Sequence, residues 1–173
     1  FTIKSNAGTA LNASGSNYVA WNWKAGGTAV SNTDGSITSQ VSANTTAGFS
    51  VVTYTGNGNA TATIGHGLGS VPTMIIVKYT STTSNWIVYH EGMGNDGGMQ
   101  LNLTTAKNTN SQYWGNTSPT SDVFTIGAYG NGNNVDAVAY CFANTESYSK
   151  AGSYTGNGNV DGPFIYTGFR PAF

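Results

Sequence analysis

Along most of the chain, apolar residues either alternate with polar ones or form short runs closed by Gly, Asn or Pro, and a period of two predicts β-strands. The segments marked in this way are Tyr18 to Trp23, Gly48 to Thr55, Ala60 to Ile64, Thr73 to Tyr79, Asn85 to His90, Met99 to Leu103, Val123 to Ile126 and Asp136 to Phe142. With the turns between them, this gives roughly eight to eleven strands, the number found in sandwiches and barrels. Leu101 to Thr109 has a length compatible with helix, but it is rich in Thr and Asn and carries no sustained apolar stripe. The expected fold is therefore all-β, an antiparallel β-sandwich of jelly-roll type with little or no helix, in which alternate residues of each strand fill the space between two sheets.

Composition sharpens this reading. Only 8% of the residues are charged, and Gly (24 residues), Asn, Thr and Ser supply most of the polar surface. Helix surfaces are built mainly from Glu, Lys, Arg, Gln and Ala, whereas Thr, Val, Tyr and Ile suit pleated sheets and Gly and Asn suit turns. The 38% hydrophobic and 12% aromatic content supplies the burial that a disordered chain lacks. At 173 residues the chain is expected to form a single β-rich module, 1–173. The net charge of −1, with its charges scattered, offers no basic stripe for phosphates and no polybasic patch for lipid, so neither nucleic acid nor membrane is an expected partner. The single cysteine, Cys141, lies in the apolar run Ala137 to Phe142 and is expected to be a buried structural thiol.

The sequence also repeats itself. Tyr54-Thr55-Gly56-Asn57-Gly58-Asn59 recurs letter for letter as Tyr154 to Asn159, and Lys24-Ala25-Gly26 recurs as Lys150-Ala151-Gly152. Phe1-Thr2-Ile3 returns as Phe124-Thr125-Ile126, each time followed by a Gly/Asn-rich stretch and then by Tyr18 to Trp23 or Ala137 to Phe142. Segment 1–72 is thus partly repeated by 124–171, as one full unit plus part of another. Gly-Asn-Gly suits a tight turn because both residue types tolerate positive φ. The chain reaches Pro171-Ala172-Phe173 at the point where the earlier copy continues from Pro72 into Thr73 to Lys78, as though a further strand belonged there. Matching segments at both ends would allow one unit's terminal strand to complete the next unit's sheet.

Candidate chemistry is thin. No nucleophile elbow, phosphate loop, dinucleotide fingerprint or zinc-spaced Cys/His set occurs, and with two histidines and seven carboxylates no catalytic residue, cofactor or metal is expected. A glycan-cleaving activity would need at least two of Glu91, Asp96, Asp122 and Asp136 in one groove. His66, between Gly65 and Gly67, is expected to cap a carbonyl at a backbone bend. His90-Glu91 and Asp96 could offer cation ligands, but no Asp-x-Asp spacing concentrates oxygens there. Sugar faces stack on exposed aromatic rings while amides and carboxylates hold hydroxyls. On that basis Trp114 and Tyr113, in a polar, Gly-flanked stretch, are the candidate glycan contacts, joined by Asn95 and Asp96 from the loop Gly92 to Gly98. Trp21, Trp23 and Trp86 are expected to pack in the core or on a sheet. The Asn-x-Ser/Thr sites at Asn12, Asn44, Asn59, Asn102 and Asn116 are what chance produces in so Asn- and Thr-rich a chain.

Four blocks in series, Gly48 to Gly56, Gly65 to Pro72, Ile75 to Lys78 and Asn85 to His90, together with Asp161 to Phe164 and Thr167 to Pro171, resemble an uncharacterised domain of marine bacteriophage structural proteins. The resemblance covers essentially the whole chain. It implies a part of a virion tail or head fibre, often beside concanavalin-like lectin domains, on the outside of the cell. It supplies no catalytic residues. The expected function is non-enzymatic: a structural and adhesive module of an extracellular fibre or virion appendage, assembling with itself as a trimer or filament and attaching to the host surface. The alternative is a carbohydrate-binding, lectin-like module for a cell-surface glycan. A low-charge Thr/Asn/Gly surface suits self-assembly, because subunits can meet without burying unpaired charges.

Overall fold

A computed structural model describes residues 15–171. The repeat copy Phe1-Thr2-Ile3 and the terminal pair Ala172-Phe173 lie outside the described residues. Among the described residues, ten strands form two antiparallel sheets: β1 (Val30–Asn32), β2 (Ser39–Asn44), β3 (Phe49–Thr55), β4 (Thr61–Gly65), β5 (Met74–Tyr79), β6 (Ile87–His90), β7 (Gly97–Gln100), β8 (Asn108–Thr109), β9 (Val123–Gly127) and β10 (Asp136–Phe142). The large sheet runs β1-β2-β3-β10-β5-β6-β7-β8, and the small one pairs β4 with β9. The described residues hold a single helical turn, the 3-10 segment Glu91–Met93. The all-β, antiparallel, sandwich-like fold expected from the pattern is the fold observed.

The chain leaves the large sheet after β3 to build β4, and leaves it again after β8 to build β9, which pairs with β4. It returns as β10, which slots between β3 and β5 so that Ala139 faces both Val52 and Val77. Ala137, Ala139 and Cys141 are small and point inward from this central strand, leaving room for larger neighbours. The core between the sheets is filled by Val52, Tyr54, Ile75, Val77, Ile87 and Tyr89 from one side and Ala62, Ile64, Phe124 and Ile126 from the other. Truncating a fully buried residue such as Ile64 to Ala is expected to cost about 2–5 kcal/mol. Cys141 is fully buried, and burial pushes its thiol up to about 12, which makes it an inert structural residue as expected.

The opposite face of the large sheet is also apolar. Val51, Met74, Ile76, Val88, Tyr140 and Phe142 are half-buried there, and Trp86 stacks on Tyr140 with the ring centroids 6.5 Å apart.

Four expectations need correction. Tyr18 to Trp23 is not a strand. Both flanks of β10, the strand whose sequence it echoes, are already taken by β3 and β5, so it cannot take the place in the sheet that its sequence suggests. Trp21 is exposed. Trp23 is also well exposed, although its ring packs against Phe49 and Phe142 at centroid distances of 6.2 and 5.6 Å. The strand expected over Met99 to Leu103 is shifted, ending at Gln100, with Leu101 to Leu103 in a turn. Finally, β1, β2 and β8 are strands without an apolar signature; the inward positions of β2 include Ser39, whose hydroxyl donates to the carbonyl of Gly65 at 2.9 Å.

Candidate functional site

The loop Gly92 to Gly98 and the stretch Asn110 to Asn116 lie on the same side of the molecule, joined through β7 and β8. Asn110 N donates to Asp96 O at 2.8 Å, and Asn95 Nδ2 donates to Ser118 Oγ at 2.9 Å. Lys107 crosses the loop, donating to Met93 O at 2.6 Å and pairing with the Asp96 carboxylate. The Lys107 hydrogen bond holds that carboxyl below its ordinary value. Gly98, Gln100, Thr105, Ala106, Lys107, Asn108 and Tyr113 line an open cleft of about 390 Å³.

Trp114 and Tyr113 are not exposed contacts: each is only 1% accessible. Their segment turns tightly, with Tyr113 N donating to Asn110 O and Gly115 N to Ser111 O. It is then pinned to β9 and the residues beyond it by Gly127 N to Tyr113 O at 2.8 Å and Tyr129 N to Gln112 O at 3.0 Å. The polar flanks satisfy one another, and the two rings turn inward. Trp114 meets Tyr89 edge to face at 5.6 Å and Tyr113 meets Tyr129 at 4.9 Å. The Tyr113 ring lies flat over Gly98, where an added Cβ would approach its Cδ1 to 2.5 Å. Of the expected glycan contacts, only half-buried Asn95 and exposed Asp96 remain near the surface, and both already have partners within the chain.

His66 behaves as its glycine neighbours suggested. Fully buried, it accepts from Leu68 N at Nδ1 (3.3 Å), which leaves Nε2 to donate to Thr120 O at 3.2 Å. Burial lowers its pKa below the ordinary 6.5, and the nearby carboxylates of Asp122 and Asp34 only partly oppose that shift. His90 Nδ1 accepts from Gly92 N at 3.0 Å, so this lone pair serves the helical turn and not a cation. No cluster of three or more potential metal-ligating side chains occurs among the described residues. Asp136 accepts from Thr55 Oγ1 at 2.7 Å, Asp122 from Ser121 Oγ at 3.0 Å, and Asp96 pairs with Lys107.

The pattern did not single out Asn131, which holds the Gly-Asn-Gly turn. Its Oδ1 accepts from Asn57 N at 3.0 Å, and its Nδ2 donates to Asn57 Oδ1 at 2.8 Å and to Asn59 O at 2.9 Å. Beside it, Tyr54 OH donates to Gly130 O at 2.8 Å, and Gly56 exchanges hydrogen bonds with Val135 and Asn134. The first copy of the repeat is therefore clamped on both sides by the residues that lead into β10. The second copy, Tyr154 to Asn159, is exposed throughout.

These features define an all-β, antiparallel module whose identifiable polar constellations are structural clamps. Over residues 1–173 the chain matches the family described as domain of unknown function DUF7483, and it belongs to that family. No curated protein and no solved structure matches it.

Proposed function

We propose that this chain is a non-enzymatic structural and adhesive module of an extracellular fibre or virion appendage, joined to further copies of itself and serving host-surface attachment. One observation carries the reading. The segments flanking the sandwich present large apolar side chains to solvent: Trp21 is 61% exposed, Tyr154 69%, Phe164 91% and Tyr166 75%. Apolar residues scattered singly are ordinary on a surface, but a concentration of exposed aromatics in the two flanking segments favours a contact role. With only 8% of residues charged, little electrostatic repulsion or desolvation opposes the approach of a second copy. The resemblance to virion structural domains points the same way. The glycan-binding alternative rested on Trp114 and Tyr113 lying in a surface groove, and their burial removes its strongest support.

Light scattering across a concentration series, followed by negative-stain imaging of the same sample, tests this reading. A mass rising to a whole-number multiple of the chain, or visible filaments, is the expected result. A monomer at every concentration would overturn it.

A further inference from the structure

We propose that Asn157 is a site of spontaneous deamidation, and that the clamp around the first copy of the repeat protects Asn57, in the same hexapeptide, from the same reaction. The modification goes beyond the assembly reading above and does not depend on it. In this reaction the main-chain nitrogen of the following glycine gives its proton to hydroxide and attacks the asparagine Cγ. The N–Cγ bond forms, the Cγ–Nδ2 bond breaks, and Nδ2 takes a proton from water and leaves as ammonia. Water then opens the resulting succinimide ring at either carbonyl, giving aspartate or isoaspartate. Glycine is the favourable following residue, because no Cβ hinders the attack and its backbone turns freely.

The chain has three Asn-Gly pairs: Asn57-Gly58, Asn131-Gly132 and Asn157-Gly158. The first two are held. Gly58 N donates to Asn131 O at 3.2 Å, so the proton that the attack must remove is engaged. Asn57 is fixed at both its ends: its N donates to Asn131 Oδ1 at 3.0 Å, and its Oδ1 accepts from Asn131 Nδ2 at 2.8 Å. Swinging its Cγ onto Gly58 N means breaking these bonds. Asn131 is itself buried with its amide oxygen and nitrogen both bonded, and Gly132 N donates to Tyr79 OH at 2.7 Å.

The third pair lacks these restraints. Asn157 and Gly158 are both exposed, and Gly158 N has no hydrogen-bond partner among the described residues. The bond from Asn159 N to Asn157 Oδ1, at 2.9 Å, leaves Nδ2 free to depart and draws electron density from Cγ. A Cβ added at Gly158 would meet nothing within 4 Å, whereas at Gly58 it would come within 2.8 Å of the Asn133 Cβ. The first turn is thus walled in and the second has room to rotate. Their resting conformations do not distinguish them, since Gly58 and Gly158 have φ of 74° and 70°.

Both copies read Tyr-Thr-Gly-Asn-Gly-Asn, so the intrinsic reactivity of the two pairs is the same and the fold sets any difference in rate. A group that reacts only from a locally opened state is slowed by the cost of opening, which for Asn57 is the loss of the clamp. Each event at Asn157 adds a carboxylate to a chain of net charge −1, and isoaspartate reroutes the main chain through the side chain. The change is permanent and falls on the exposed copy, in a segment that also presents Tyr154 and Phe164 to solvent.

The lysines place the three pairs on separate tryptic peptides, 25–78, 108–150 and 151–173. The full chain is incubated in mildly alkaline buffer, dilute so that contact between copies does not shield the segment, then digested and read by mass spectrometry. The expected result is amide-to-acid conversion in 151–173 on the order of tenfold faster than in the other two peptides, because the clamped pairs react only after opening. Fragmentation should place the new acid at Asn157, and Asn157→Gln, which would have to close a larger ring, should slow the conversion by a similar factor. In denaturant, 25–78 and 151–173 should convert at the same rate. Equal rates in the folded chain overturn the proposal, as does conversion that persists in Asn157→Gln. A difference that survives denaturant overturns the role given to the clamp.

Discussion

Tyr54–Asn59 and Tyr154–Asn159 are the same sequence in two situations. The first copy ends β3: Tyr54 is 5% exposed, its hydroxyl reaches Gly130, and Asn131 clamps the turn. The second has the same turn and the same Asn–amide bond but no sheet around it, and its tyrosine is 69% exposed. Local sequence therefore fixes the turn, and non-local partners decide whether a strand precedes it. Strand formation needs a neighbour to satisfy the backbone, whereas a Gly-Asn-Gly turn needs only tolerance of positive φ.

The comparison breaks most sharply at the two tyrosines. Tyr54→Ala removes a buried ring and its hydrogen bond, and is expected to cost about 3–5 kcal/mol in chemical denaturation. Tyr154→Ala should leave monomer stability within about 0.5 kcal/mol, as surface substitutions do, while raising the concentration at which the chain associates. Equal costs at the two positions would mean that the second copy is already packed in the monomer.

A smaller effect is expected at the clamp. Asn131→Ala removes the side chain that accepts from Asn57 N and donates to Asn59 O, leaving Asn57 Oδ1 with only the Asn59 amide, and should destabilise the module by about 1–3 kcal/mol. Asn157→Ala, which alters the unclamped copy, should leave the melting curve of the monomer unchanged and act only on association. If Asn131→Ala proves silent, the first turn is held by its own geometry and the contrast between the copies is weaker than the hydrogen bonds suggest.

The same contrast explains which parts of the molecule could be read from the sequence. β3, β5, β9 and β10 were legible because branched and aromatic residues alternate there on strands with a buried face. Tyr18 to Trp23 has the same pattern but lies outside both sheets, so the pattern overstated it. β2 was missed for the opposite reason: pairing with β3 holds Ser39 to Asn44 in the sheet even though Ser and Ala fill most of its inward positions. At the candidate site, polar neighbours made Trp114 look solvent-facing, yet those groups bond to one another and to the residues around β9, and the ring turns inward. Asn131 had no periodic signal. Its role follows from pairing between distant segments, for which the repeat was the sole hint.

The smallest of these effects concerns pH, and it too belongs to one copy only. Counting back from Pro72 and Pro171, His66 of the first copy corresponds to Ile165 of the second, so the second has no imidazole at that place. Burial lowers the His66 pKa below 6.5 in the fold, so unfolding takes up a proton once the pH falls below that value. Stability should therefore be constant above pH 6.5 on this account and decline as the pH drops below it, with a slope no steeper than about 1.4 kcal/mol per pH unit. The decline ends at the folded-state pKa, where both states carry the proton. Asp122 and Asp34 attract that proton and shorten the interval. Protonation at Nδ1 would also break the bond from Leu68 N, adding a structural cost to the electrostatic one. His66→Gln, neutral at every pH, should unfold with a flatter profile just below pH 6.5, and the difference between the two profiles isolates the imidazole from every other titrating group. Identical profiles would mean that His66 is solvated in the native state, and that the bend carrying it is open where the structure has it closed.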